Sequence, residues 1–210
     1  MAKTAGSSSG GVINGDALAN DLERDGVAGF RVGGSPDWRR MAMPTMPKAL
    51  VGAAGEFYVL FRLHAIGLVA AAAPRNAERV DIFAFRPTDR TRVVDLQVKT
   101  RTKESSEGGW MMNQKHEDVV DDRLFYIFVD MESRDHPPCF VIPSKTIADV
   151  VTKSHAAWMA LPKLRGEGPK NPNNRVRRVQ PAYRHKVPGF EPGWMNRYRD
   201  AWHLVAAAVD

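Results

Sequence analysis

Apolar and polar positions alternate along "RVVDLQVKTR" (92–101), so Val94, Leu96 and Val98 fall on one side of an extended strand. Asp95, Gln97 and Lys99 fall on the other. The same period of two in "RVDIFAF" (79–85) puts Asp81 on a face with Phe83 and Phe85. "RNAE" and "RPTDRT" are turn-like, so these two segments form a hairpin preceded by a strand at "LVAAAA" (68–73). Pro47 marks the start of a helix over 48–66. Downstream, "RLFYIFVDM" (123–131) and "CFVIPS" (139–144) read as apolar core strands. A helix over 145–161 follows, with Ile147, Val150, Val151 and Trp158 near helical spacing. The chain then turns basic and proline-rich and ends in a helix at 196–209. The pattern predicts an α/β fold in three parts: a Gly/Ser/Ala-rich flexible arm (1–46), a core (47–161) and a basic extension with a C-terminal helix (162–210). Within the arm, "GDALANDLERDG" (15–26) has the pattern of a short helix.

Composition narrows the classes. The 210 residues are 43% hydrophobic and 26% charged, which describes a soluble globular chain with a real core. The stretch 49–73 is apolar over more than the ~20 residues that cross a bilayer. Glu56, Arg62 and His64 interrupt it, at about 2.5–3.5 kcal/mol for a charge near a span centre, and Gly67 divides it. A buried helix followed by a buried strand is the expectation. Cys139 is the only cysteine, which excludes an intrachain disulfide and a thiolate zinc site. "MAKTAGSSSGG" has no apolar run after it and does not read as a secretory signal, so the expected location is cytoplasmic. No GxxxxGK[ST] loop is present, and Ser144 lacks the elbow sequence of a hydrolase nucleophile. His116 and His155 have no second histidine at i+4 and read as surface or packing residues.

The polar faces raise the question of chemistry. Neighbouring strands lie about 4.8 Å apart and alternate residues about 6.6 Å, so Asp81 and Gln97 reach one ion if the hairpin brings them level. Asp95 and Lys99, roughly 13 Å apart, do not serve the same atom. Glu56 has Ala53, Val59, Leu60 and Leu63 as its helical neighbours. A lone carboxylate in such a stripe is costly unless a charge or metal compensates it. Gly52 and Gly55 beside it allow the helix to approach the sheet. Two plainer readings stand alongside: the triplet as a solvated strand face, and Glu56 at the helix edge paired with Arg62.

A helical Glu56, then Asp81 entering a strand, then Gln97-Val98-Lys99 on the next strand resembles the PD-(D/E)xK nuclease superfamily, the restriction-endonuclease-like fold. The flanking "GAAGEFYVLFRLHAIGLV", "NAERVDIFAF", "DLQVKTR", "FYIFVD" and "VIPSKTIADVV" are similar to a group of small, mostly uncharacterised bacterial members. The resemblance spans roughly residues 48–205. It implies an αβββαβ core with a mixed central sheet flanked by helices. It also implies an endodeoxyribonuclease that uses Mg²⁺, with Mn²⁺ as a substitute, in bacterial defence, restriction or DNA processing. Asp81 would be the principal metal ligand, Gln97 would add its amide oxygen, and Glu56 would hold a water or ligate directly. Lys99 would orient the attacking water or stabilise charge at phosphorus. A homodimer follows if both strands are cut. Two departures are visible: Arg79-Val80 precedes Asp81, and Gln97 stands where the family has an acid. The second favours an alternative, an inactive member kept as a nucleic-acid-binding module.

Charge supplies the partner. The chain carries a formal net charge of +6, and between Pro162 and Arg199 ten basic residues face only two acids, Glu167 and Glu191. Lys170, Arg175, Arg177, Arg178, Arg184 and Lys186 of that stretch, with Arg101 after the triplet, are the expected phosphate contacts. DNA is the expected partner, with RNA left open. A solvated basic tail explains the same residues.

Overall fold

The computed structural model describes residues 46–74, 77–102, 108–133, 135–162 and 171–210. Of the expected arm only Met46 is included, so the helix at 15–26 lies outside the described residues, as do Lys163, Arg165 and Lys170. In chain order the elements are α1 (Lys48–Ala65), β1 (Val69–Ala72), β2 (Ile82–Arg86), β3 (Asp89–Arg101) and β4 (Trp110–Asn113). A 3-10 turn (Gln114–Glu117) follows, then β5 (Leu124–Asp130), β6 (Cys139–Pro143), α2 (Ser144–Ala160) and β7 (Val176–Val179). A second 3-10 turn (Trp194–Tyr198) leads to α3 (His203–Ala208).

Helix α1 starts behind Pro47, whose carbonyl accepts from the Leu50 and Val51 N–H groups at 2.9 and 3.1 Å. It stops at Gly67, where φ is 82° and the left-handed backbone returns the chain into β1. Val51, Gly55, Val59 and Leu63 form its buried stripe. Gly55 is required: a Cβ there would overlap the Thr100 side chain, whereas one at Gly52 would meet nothing within 4 Å. Of the two expected glycines only Gly55 therefore sets how close α1 lies to β3.

The main sheet has the order β1-β2-β3-β5-β6. Strands β1, β2 and β3 form an antiparallel meander, β5 runs parallel to β3, and β6 returns antiparallel. The sheet is mixed, with helices on both sides. All seven residues of β5 are buried, as expected for a strand covered on both faces. Phe125, Ile127 and Val129 join α1, β2, β3 and α3 in one core, with Val59, Leu63, Ile82, Leu96 and Val205. Leu124, Tyr126 and Phe128 join α2 and β4 in the other, with Trp110, Ile147, Val150 and Met195.

Three features differ from the sequence reading. The opening α-β-β-β and the order strand, strand, helix over 123–161 appear as the residue pattern expected, but a strand and a 3-10 turn stand where the αβββαβ order implied by the resemblance has a helix. A parallel neighbour needs a long crossover, and residues 102–123 are too polar for an amphipathic helix. Instead Trp110 and Met112 alternate inward on β4, which pairs with β7 in a two-stranded sheet. The described part of the basic extension thus joins both cores. The last helix is shorter than expected because Arg199 bridges Phe140 on the edge of β6 and the Asp200 N–H donates to the Cys139 carbonyl at 2.7 Å. Asp200 sits at a φ of 50°, which helical continuation does not tolerate.

Candidate active site

The β2–β3 ladder ends at the pair Ile82↔Leu96, so Asp81 stands where the two strands diverge, level with Gln97. Three bonds pin it there. Its N–H donates to the Leu96 carbonyl at 2.9 Å, its carbonyl accepts from Ala73 N–H at 2.8 Å, and its Oδ2 accepts from Val98 N–H at 2.7 Å. The carboxylate takes a backbone donor that a further strand residue would otherwise have satisfied. Two residues earlier Arg79 has a φ of 68°, a region a non-glycine occupies at a cost of about 1–3 kcal/mol.

Gln97 and Lys99 project from the face of β3 opposite Leu96 and Val98, level with Tyr126 and Phe128 across the parallel pairing. Gln97 is buried, and its Oε1 has no hydrogen-bond partner. A buried oxygen acceptor without a donor is uncommon and costs about 1–3 kcal/mol. Lys99 is half-buried. Desolvation lowers its ammonium pKa, Asp81 opposes that, Lys115 adds to it and Glu56 opposes it. Glu56 lies within the same field: desolvation raises its carboxyl pKa, the charge on Asp81 raises it further, and Lys99 draws it back. Glu56, Asp81 and Lys99 therefore share one electrostatic field, and Asp81 stands level with Gln97 across the hairpin.

Arg62, the alternative partner for Glu56, is used elsewhere. It donates to Tyr58 Oη at 3.3 Å and to Asp200 at 3.2 Å, and its guanidinium lies over the Trp202 ring. Asp95 stands apart, its pKa raised by desolvation and by Asp121.

The donor set was tested against a hard divalent cation. Among the described residues no three of His, Cys, Asp and Glu gather as a ligand group, so an ion at the fork would need a donor beyond the acids. The buried Gln97 Oε1 offers one. Mg²⁺ keeps several waters and needs few protein oxygens, and an orphaned acceptor level with Asp81 fits that requirement.

Two residues at this site were not singled out as functional by the sequence. His116, on the turn after β4, is buried and its Nδ1 lies 2.8 Å from Tyr126 Oη. Desolvation, with Lys99, Lys115 and Arg79 adding, pushes its imidazole down to about 4, so it is neutral at pH 7. The Tyr126 phenol is pushed up to about 12 by burial. The available signal was a hydroxyl in the otherwise apolar run "LFYIFV", which required a buried partner.

The expected phosphate contacts divide. Arg175, Arg184 and Lys186 are exposed and Arg178 is half-buried. Lys170 lies outside the described residues. Arg177 is 5% exposed and its guanidinium is engaged by Glu117 and by the carbonyls of Asn174 and Val176 at 2.6 and 3.0 Å. Arg101 pairs with Asp130 at 2.5 and 3.1 Å and lies 4.1 Å from the Trp110 ring centroid. Both depart from the expectation, because their donors close internal structure rather than face solvent. Ser144 likewise fastens a loop: its Oγ donates to the Asp121 carbonyl at 2.7 Å and accepts from the Asp121 N–H at 2.8 Å.

No protein-family model matches the chain, and no curated protein sequence matches it. Among solved structures it is similar to a bacterial homing endonuclease at 15% identity, with 78% of this chain and 95% of that one covered and a TM-score of 0.43. So loose a superposition carries no functional weight. No helix among the described residues is long and apolar enough to cross a membrane.

Proposed function

We propose that the chain is a metal-dependent endodeoxyribonuclease of the PD-(D/E)xK kind, with its reaction centre at the fork between β2 and β3. The observation that carries this reading is the buried, unpartnered Oε1 of Gln97, level at the fork with Asp81, whose charge acts on both Glu56 and Lys99. Asp81, Gln97 and Glu56 would hold Mg²⁺ or Mn²⁺ through oxygen. When bound, such an ion acts as a Lewis acid on a phosphate oxygen and makes water a better nucleophile.

The chain's own groups do the rest. Val98 N–H fixes the Asp81 carboxylate, so its position is set before substrate arrives. The Lys99 ammonium, partly stripped of water, faces negative charge as it develops on the phosphate, where a poorly solvated cation acts more strongly than in water. Glu56, whose carboxyl holds its proton more readily than an ordinary glutamate, is suited to orient water or take a proton at its carboxylate oxygen. Arg175, Arg178, Arg184 and Lys186 would hold the phosphate backbone without reading sequence. The homodimer and the role in defence or DNA processing follow only from the resemblance.

Incubating the purified chain with circular and linear DNA in Mg²⁺, in Mn²⁺ and in chelator tests the reading. Cleavage that needs the ion and is lost by at least a hundredfold in Asp81→Ala and Lys99→Ala supports it. Unchanged turnover by either folded variant removes the assignment. A second reading, a module that binds nucleic acid without cutting it, is favoured by the neutral Gln97. Under it, ion-independent binding persists with no cleavage by the wild type.

A further inference from the structure

A cleft of about 430 Å³ lies between the C-terminal half of α2 and the segment containing β7, lined by Ser154, His155 and Trp158 on one side and by Val176, Arg178 and Tyr183 among those on the other. It falls toward the small end of the roughly 300–1,000 Å³ typical of ligand pockets, a size for one flat ring with its sugar and phosphate. The His155 and Trp158 rings, on neighbouring turns of α2, have centroids 5.7 Å apart and planes 30° from parallel. Tyr183 extends this aromatic lining, held in place by its Oη–H to the Arg178 carbonyl at 3.1 Å and by Gln180 N–H at 3.3 Å.

The described lining is basic rather than acidic. None of the described lining residues is acidic, and the lining includes Arg178 and Arg177, the latter paired with Glu117. Arg177 is locked into the wall by Glu117 and two carbonyls, so its charge is fixed in place. Desolvation and then Arg177 lower the pKa of His155, which favours a neutral ring suited to stacking. Arg175, Arg184 and Lys186 stand exposed on the same segment. The turn Gln114–Glu117 ties the cleft to the fork: Glu117 holds Arg177, and His116 beside it bonds Tyr126 next to Gln97.

We propose that this cleft takes an unpaired nucleobase of a nucleic-acid strand, its ring against the His155–Trp158 pair and its phosphate toward Arg178, so that the favoured substrate contains a single-stranded stretch. The inference rests on the nucleic-acid reading above and adds the substrate class. A flat ring carrying negative charge satisfies both the aromatic wall and the exposed Arg175, Arg184 and Lys186 of the same segment. Stacking tolerates any base and is sensitive to loss of the platform.

The test is fluorescence anisotropy of the full-length wild type in chelator, with a labelled oligonucleotide presented alone and as a blunt duplex. The single strand is expected to bind at least tenfold more tightly. His155→Ala, and separately the charge-neutral Val176→Gln at the 43% exposed mouth residue, should each lower single-strand affinity, the first by about tenfold, while leaving duplex affinity and the circular dichroism spectrum unchanged. Equal affinity for the two forms, a preference retained in both folded variants, or equal competition by polyglutamate would overturn the proposal. Cleavage in Mg²⁺ keeps the two readings apart. An enzyme that cuts without single-strand preference sinks this inference alone, and a single-strand binder that never cuts sinks the nuclease reading alone.

Discussion

Two charge clusters flank the turn Gln114–Glu117, and they are built on opposite terms. On the Glu117 side, the buried Arg177 guanidinium has an acid and two carbonyls as partners. On the His116 side, the charge on Asp81 acts on both Glu56 and Lys99, and the buried Gln97 oxygen level with Asp81 has no donor. A saturated buried ion is a brace, and removing its partner exposes the full desolvation cost. An unsaturated acceptor beside like charges stabilises nothing by itself and marks a place prepared for a ligand. The difference separates structural from chemical charge where residue type alone does not.

Breaking the brace should have the largest effect on stability. Arg177→Met leaves the half-buried Glu117 without its cation and is expected to cost up to about 3 kcal/mol, measured by urea denaturation. A variant as stable as wild type would erase the contrast. His116 comes next. Its folded-state pKa of about 4 lies below its unfolded value of 6.5, so between those pH values the unfolded chain binds more protons. Stability is therefore full above 6.5 and is lost as pH falls toward 4, by on the order of 2–3 kcal/mol. His116→Gln should flatten that acid limb, and an unaltered limb would contradict the assignment.

Smaller effects sharpen the fork. Gly55→Ala forces α1 away from Thr100. Overpacking costs roughly 1–3 kcal/mol, offset by about 1 kcal/mol of helix propensity, and the shift of Glu56 should weaken cleavage more than stability. Gln97→Leu removes the unmatched oxygen and is expected to stabilise the metal-free protein by about 1 kcal/mol, read as a raised thermal midpoint. A drop of similar size would mean that the oxygen is satisfied in solution.

The fork was legible because its logic is local. Period-two alternation assigned the faces of β2 and β3, the "RPTDRT" turn closed the hairpin, and Asp81 came level with Gln97 through that register. Burial of Arg177 was not legible, because its partner Glu117 lies 60 residues away in sequence and arginine-rich segments look solvated until packed. Strands β4 and β7 have four residues each, too few for alternation to stand out in polar surroundings, and each exists only because the other pairs with it. The short last helix was hidden for the same reason, since Arg199 and Asp200 answer to the edge of β6 and not to their neighbours.

The central claim is that the fork holds a divalent cation through Asp81 and Gln97, and a Mg²⁺ titration of thermal stability tests it most directly. Wild type should melt at rising temperature as Mg²⁺ increases, reaching about 2.7 kcal/mol of added stability at a hundredfold excess over Kd, while Asp81→Asn, folded and otherwise comparable, should show no rise. Equal rises in both proteins, or none in the wild type, would contradict it.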